Sequence, residues 1–213
     1  MALYLTKELE NGATIYVWDI TESEEDLLNL TSIPNEELED LNLIKNESRR
    51  KEKLAVRALL NEIFDDRVYL GHHDNGKPYL QNQLTEISIT HSERFVAIIT
   101  HPYEDVGIDI ESLDRDFSAV EKKVLSEEEL DDLSDSERKR DMQLPIYWCA
   151  KEAIYKRMSI LGVDFAEQIE VERFNPRKDG ELEATFIHKD GTELEFELEY
   201  MIFDNHIMVW LVG

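Results

Sequence analysis

Apolar and polar positions alternate over residues 13–20, the period-two signature of a strand with one buried face. The period then lengthens. Acidic, helix-prone sequence follows, Pro34-Asn35 marks a helix start, and over residues 46–64 Val56, Leu59, Leu60 and Ile63 recur at helical spacing. Asp74-Asn75-Gly76 and Lys77-Pro78 predict a turn. Strands are expected at 86–90 and 94–100, and His101 to Asp105 reads as a connector. The second half runs through a similar order. A strand is expected at 106–110, and the capping-box pattern Ser126-Glu127-Glu128-Glu129 opens a helix. A longer helix spans 141–160 and ends near Gly162, and strands are expected at 168–174, 182–188, 192–202 and 206–212. Asp179-Gly180 and Asp190-Gly191 are read as hairpin turns. Each half is thus strand, helices, strands, with no residue-level repeat and a boundary near residue 103.

Composition narrows this picture. The chain has 213 residues, enough for one large domain or two of about 100 residues. With 42% hydrophobic residues it can bury a real core. Its net charge of −25 repels phosphate backbones and anionic lipid, which argues against nucleic acid or a membrane surface as partner. A single cysteine, Cys149, excludes a disulfide framework and a multi-cysteine zinc site. Residues 1–8 lack the basic start and apolar stretch of a signal peptide, and no run approaches the roughly 18 apolar residues of a membrane span. The expectation is a soluble, cytoplasmic protein.

Candidate chemistry concentrates in a few segments. In Val106-Gly107-Ile108-Asp109-Ile110-Glu111, strand alternation points Asp109 and Glu111 to one face and the two isoleucines to the other, into a core. Two carboxylates there suit a hard divalent cation such as magnesium; a solvent-facing edge with two ordinary acids is the plain alternative. In Trp148-Cys149-Ala150-Lys151-Glu152-Ala153-Ile154-Tyr155-Lys156, Trp148, Glu152 and Lys156 fall at i, i+4 and i+8 on one helix face. Glu152 and Lys156 are either a metal ligand with a phosphate-binding lysine or a surface ion pair. Positive charge gathers at residues 45–57 against the overall trend, with Arg50, Lys53 and Arg57 on one helix face. That stripe is either an anion site or a helix balanced by acidic neighbours. Thr90, His91 and Ser92 end a strand with three polar side chains, and Lys77 is presented from a turn. His72-His73 reads as an exposed loop and Cys149 as a packed residue.

In combination and order, these segments resemble the 4'-phosphopantetheinyl transferases, specifically the longer, two-lobed type that activates peptide and polyketide synthases. The resemblance runs from about residue 49 to 156: Arg49, Arg50 and Arg57; Asn75-Gly76-Lys77-Pro78; Thr90-His91-Ser92; Gly107-Ile108-Asp109-Ile110-Glu111; and the Trp148–Lys156 helix. It departs from the family at Thr90, where serine is common, at Cys149, where serine or threonine is common, and between Trp18 and Leu43, which lacks the lysines relatives carry.

The resemblance implies an α+β fold of two similar lobes (a pseudo-dimer), each with a small antiparallel sheet packed on helices. Residues 1–103 would form a coenzyme A phosphate-binding lobe and residues 104–213 a lobe carrying the magnesium carboxylates, with the site between the lobes. It implies Asp109, Glu111 and Glu152 as magnesium ligands and Lys156 as a phosphate contact. Arg57, Lys77 and His91 would contact coenzyme A phosphates, with Arg50, Thr90 and Ser92 counted alongside them. Glu152, or a water it orients, is the candidate base, and Asp109, Glu152 and Lys156 form the catalytic set. The activity implied is magnesium-dependent transfer of the 4'-phosphopantetheine arm from coenzyme A to a serine of a carrier protein of fatty-acid, polyketide or nonribosomal-peptide synthesis, by a monomer. Two acidic proteins repel, so an apolar docking patch with basic residues at Lys122 and Lys123 is expected. The alternatives are another magnesium-dependent nucleotide- or pyrophosphate-processing enzyme, and a non-catalytic acidic binding protein.

Overall fold

The structure, a computed structural model, describes residues 3–64 and 68–213; Met1, Ala2 and residues 65–67 lie outside the described residues. The chain divides into two compact units, Met1–Glu104 and Asp105–Gly213. Both are α+β, and the main sheet of each is antiparallel.

Unit 1 begins with strands β1 (Leu3–Glu8) and β2 (Thr14–Asp19), followed by helices α1 (Glu24–Leu30), α2 (Asn35–Leu43) and α3 (Glu47–Ile63). Strands β3 (Leu70–His72), β4 (Pro78–Leu80), β5 (Glu86–His91) and β6 (Phe95–His101) complete it. The main sheet has the order β1-β2-β6-β5, and β3 pairs with β4 as a separate hairpin. The predicted turn at 74–78 is the connection of that hairpin, closed by the His73 N–H on the Lys77 carbonyl at 2.9 Å, with Gly76 at φ +89°. Helix α3 starts where the Asn46 side chain accepts the Arg49 N–H. It packs on β2 and β6, burying Leu54, Leu59 and Leu60 against Val96 and Ile98. Each such side chain contributes about 1.5–3 kcal/mol relative to exposure. Helix α1 carries a full capping box at Ser23, whereas α2 starts after Pro34 with no side-chain cap.

Unit 2 runs β7 (Val106–Ser112), α4 (Ser118–Lys123), α5 (Glu127–Asp131), α6 (Glu137–Met158), α7 (Phe165–Gln168), then β8 (Ile169–Val171), β9 (Asp179–Ile187), β10 (Glu193–Phe203) and β11 (His206–Val212). The sheet order is β7-β11-β10-β9-β8. The capping box at Ser126 forms as read from the sequence. Helix α6 lies on β7 and β11, and its buried Ala150, Ala153 and Ile154 join Ile207, Val209 and Leu211 in one core. Pro145 sits inside α6, where it cannot donate to the carbonyl four residues earlier.

Two expectations need correction. Asp179-Gly180 is not a turn: both residues lie in β9, where Gly180 pairs with Tyr200, and a Cβ there would meet the Tyr200 ring at 3.0 Å. The β10–β11 turn is Asp204-Asn205, whose φ values of +41° and +61° are the left-handed conformations that Asp and Asn tolerate best after glycine. Short elements without a clear period (β1, β3, β4, α4 and α7) were not expected from the pattern, and the strand expected at 168–174 is the three-residue β8.

Candidate active site

In unit 2 the site residues come from one strand and one helix face. Strand β7 is antiparallel to β11, pairing Gly107 with Leu211, Asp109 with Val209 and Glu111 with Ile207. Cross-strand partners share a face, so Gly107, Asp109 and Glu111 all point to the side covered by α6. Gly107 is required there. A Cβ at this position would stand 2.1 Å from the Ala153 carbonyl oxygen, so only a residue without a side chain lets the helix backbone approach this close. Ile108 and Ile110, on the opposite face, are also buried. Asp109 is only 5% exposed, which excludes the reading of it as an ordinary solvent-facing edge acid.

Helix α6 presents Trp148, Glu152 and Lys156 to this strand. The Trp148 indole N–H donates to Glu111 Oε1 at 3.0 Å. The Lys156 ammonium donates to Asp109 Oδ1 at 2.7 Å and to the Ile108 carbonyl at 3.1 Å, so its bonds go across to the strand. Arg115, four residues beyond Glu111, pairs with the Glu111 carboxylate and stacks over the Trp148 ring at 4.9 Å. Sequence reasoning missed Arg115, although its i, i+4 spacing from Glu111 was a usable signal.

The electrostatics follow from burial and crowding. Burial, then the Asp109 charge, pushes the Glu152 carboxyl up to about 7; Glu111 adds to the rise while Lys156 and Arg115 oppose it. Glu111 is raised for the same leading reasons, burial and Asp109, against the pull of Arg115. The three carboxylates therefore feel one another, and Lys156 and Arg115 supply the compensating charge. Among the described residues no group of three or more His, Cys, Asp or Glu side chains is close enough to enclose a metal ion. The donor chemistry nevertheless fits magnesium: two carboxylates on one strand face and a third on the helix covering it are oxygen donors only, and they outnumber the two cations beside them. Cys149, buried beneath the site, has its thiol pushed well up by burial and by Asp109 and Glu111, which argues against a nucleophile.

Lys151 behaves unlike its neighbour Glu152. It is fully buried, as is Glu129 of α5 at 2%, and the two pair at 2.6 Å. The Lys151 ammonium also donates to the Val124 and Phe165 carbonyls at 2.8 Å each. Glu129 in turn accepts the backbone N–H groups of Ser126 and Val171. Burial pushes the lysine down and the glutamic acid up, and their attraction opposes both shifts. This pair ties α5, α6, α7 and β8 together.

In unit 1 the expected phosphate contacts already hold carboxylates. The Arg50 guanidinium grips Glu24 with two bonds of 2.7 and 2.9 Å and donates to the Ile44 carbonyl. Arg57, 3% exposed, donates to the Val68 carbonyl at 2.8 Å and pairs with Glu37. Lys77 Nζ lies 3.2 Å from Glu86, and the half-exposed His91 ring lies 3.5 Å from Glu52. Thr90 is buried in β5, and the Ser92 hydroxyl accepts the Phe95 and Arg94 N–H groups of the β5–β6 turn. Arg57 and His91 line one cavity of about 390 Å³ with Lys53 and His72, whereas Arg50, Lys77, Thr90 and Ser92 do not.

No curated protein matches the chain. The family comparison matches residues 105–209, a span within unit 2 that contains the carboxylate strand, the Trp148–Lys156 helix face and the sheet behind them. Through this unit the chain belongs to the 4'-phosphopantetheinyl transferase superfamily.

Proposed function

We propose that this transferase moves the 4'-phosphopantetheine arm of coenzyme A onto a serine hydroxyl of an acyl, peptidyl or aryl carrier protein, leaving 3',5'-ADP, in the manner of the two-lobed members of the superfamily. The observation that carries the reading is the grouping of Asp109, Glu111, Glu152 and Lys156 on one strand face and one helix face inside the matched region. Asp109, Glu111 and Glu152 would hold magnesium. When bound, the ion neutralises pyrophosphate oxygens and charge growing on the leaving phosphate.

The remaining work falls to side chains. Glu152, whose proton affinity is raised toward neutrality, accepts the proton of the attacking serine hydroxyl, directly or through a water it orients. Lys156, whose ammonium now donates to Asp109, turns to a phosphate oxygen of the coenzyme. Trp148 and Arg115 hold Glu111 in place. In unit 1, Lys77, His91, Arg57 and Arg50, with Thr90 and Ser92 nearby in sequence, are the proposed coenzyme contacts, which requires exchange of their present carboxylate partners. Lys122 and Lys123, exposed at the end of α4, are proposed as basic elements of carrier docking. Transfer that survives charge reversal of both lysines with unchanged carrier affinity would remove that element.

The test of the reading is the intact mass of apo carrier proteins after incubation with the chain, coenzyme A and magnesium. A gain of one phosphopantetheine, lost with chelator and with Glu152→Gln, is expected. Folded enzyme that modifies none of a panel of fatty-acid and peptide-synthetase carriers, yet hydrolyses a nucleotide pyrophosphate, would replace it with the pyrophosphate-processing alternative.

A further inference from the structure

The cavity in unit 1 is lined by two permanent cations, Lys53 and Arg57, and by two carboxylates of α2, Glu37 and Asp40. The His72 and His91 rings complete its polar wall. At about 390 Å³ it falls within the range of small-molecule sites. Arg57 is its best-built element. The guanidinium is 3% exposed and bonded to the Val68 carbonyl and to Glu37, yet among the described residues its Nε–H has no acceptor. A buried donor left without an acceptor is unfavourable, and a single carboxylate on Nη2 does not use the fork a guanidinium offers. The residue that supplies the present counter-charge is weakly anchored. Glu37 sits on α2, which has no side-chain cap and, among the described residues, one buried apolar side chain, Leu41.

We propose that Glu37 is the resting counter-ion of an anion site in this cavity, and that a phosphate-bearing ligand takes its place on Arg57. This rests on the coenzyme A reading above and adds to it a competitor built into the chain. A phosphate has oxygens enough to accept from Nε and Nη2 together, which Glu37 does not do. With Glu37 seated, the two cations face two carboxylates and the cavity has no surplus of positive charge. With Glu37 displaced, the surplus appears where the ligand sits, and exposed Lys53 can close on it. Binding is therefore an exchange, and apparent affinity is reduced by the fraction of molecules in which Glu37 holds Arg57.

The experiment is calorimetric titration of the full chain with adenosine 3',5'-bisphosphate, for wild type, Glu37→Gln and Lys53→Met, with circular dichroism to verify folding. Removing the competitor should tighten binding about fivefold or more, and removing Lys53 should weaken it by a similar factor. Glu37→Lys, which repels Arg57, serves as a second opening variant and should also tighten binding. Wild-type binding that neither opening variant improves would overturn the exchange while leaving the coenzyme reading intact. Loss of fold in both would overturn it too, since a displaceable counter-ion cannot be a folding requirement. If wild type binds neither the bisphosphate nor coenzyme A, but Glu37→Gln binds inorganic pyrophosphate more tightly than wild type, the exchange stands and the coenzyme reading falls. Absence of binding by every variant to every one of these anions would end both.

Discussion

Helix α3 in unit 1 and helix α6 in unit 2 face opposite electrostatic problems. On α3, buried and half-buried arginines rest against carboxylates from sequence-distant helices, Glu24 for Arg50 and Glu37 for Arg57. On α6, a carboxylate is set against two more on strand β7, and cations close the charge: Lys156 on Asp109 and Arg115 on Glu111. Each unit thus keeps much of this charge neutralised from within. The difference lies in where the balance fails. Around α3 Arg50 and Arg57 each have a carboxylate, whereas around α6 three carboxylates meet two cations, and burial together with that crowding raises the proton affinity of Glu152. An excess of negative charge invites a divalent cation, and a balanced cationic site invites exchange.

The sharpest way to break this comparison is to contrast adjacent residues of α6. Lys151→Met leaves Glu129 charged and buried without its partner, and a loss of about 3–5 kcal/mol is expected in denaturant titrations. Lys151→Met combined with Glu129→Leu should recover most of it, because a buried pair is often replaceable by apolar groups. Glu152→Gln should behave in the opposite sense. Transfer should fall about 100-fold or more, equivalent to about 2.7 kcal/mol of barrier, as read by carrier mass. Stability in chelated buffer should be equal or higher above neutral pH. Here the sign follows from the raised folded value: wild type is relatively most stable below about 4.5 and loses that advantage as pH rises through about 7, a loss the glutamine avoids. A variant less stable than wild type at pH 8 would show that the carboxylates do not repel.

Smaller effects sharpen the picture. Gly107→Ala drives a methyl group into the Ala153 carbonyl and should cost about 1–3 kcal/mol, with transfer falling further than the loss of folded protein explains. In unit 1, the Arg50 hydrogen bonds hold the Glu24 carboxyl below the usual range, against a smaller opposing push from burial. Its contribution is present above pH 4.5 and is lost as pH falls through the lowered folded value. Melting curves of wild type and Glu24→Gln should therefore differ at neutral pH and converge on acidification; parallel curves at all pH values would mean the pair is silent.

Long periodic segments were legible because one repeat decided them. Alternation alone placed Asp109 and Glu111 on one face, and helical spacing alone aligned Trp148, Glu152 and Lys156. What those faces meet was not legible. Glu24, Glu37, Glu52 and Glu86 are ordinary acids in a chain rich in them, and only folding brings each to its cation. Lys151 looked like one more polar helix residue, and its burial depends on Glu129 arriving from 22 residues away. The Asp179-Gly180 error has the same origin. A turn-forming dipeptide was present, but the glycine answers the bulk of Tyr200, a partner outside any local window.

Pro145 carries a consequence for motion. With no amide hydrogen to complete the ladder, α6 is mechanically two segments in series, an exposed first half from Glu137 and a buried second half that carries Glu152 and Lys156. Opening of the first half breaks few buried contacts and need not propagate past the proline. In amide hydrogen exchange, residues 137–142 should exchange by local fluctuation while 149–156 exchange only with global unfolding, so that the end of the helix reaching toward solvent can breathe without disturbing the chemistry at the other.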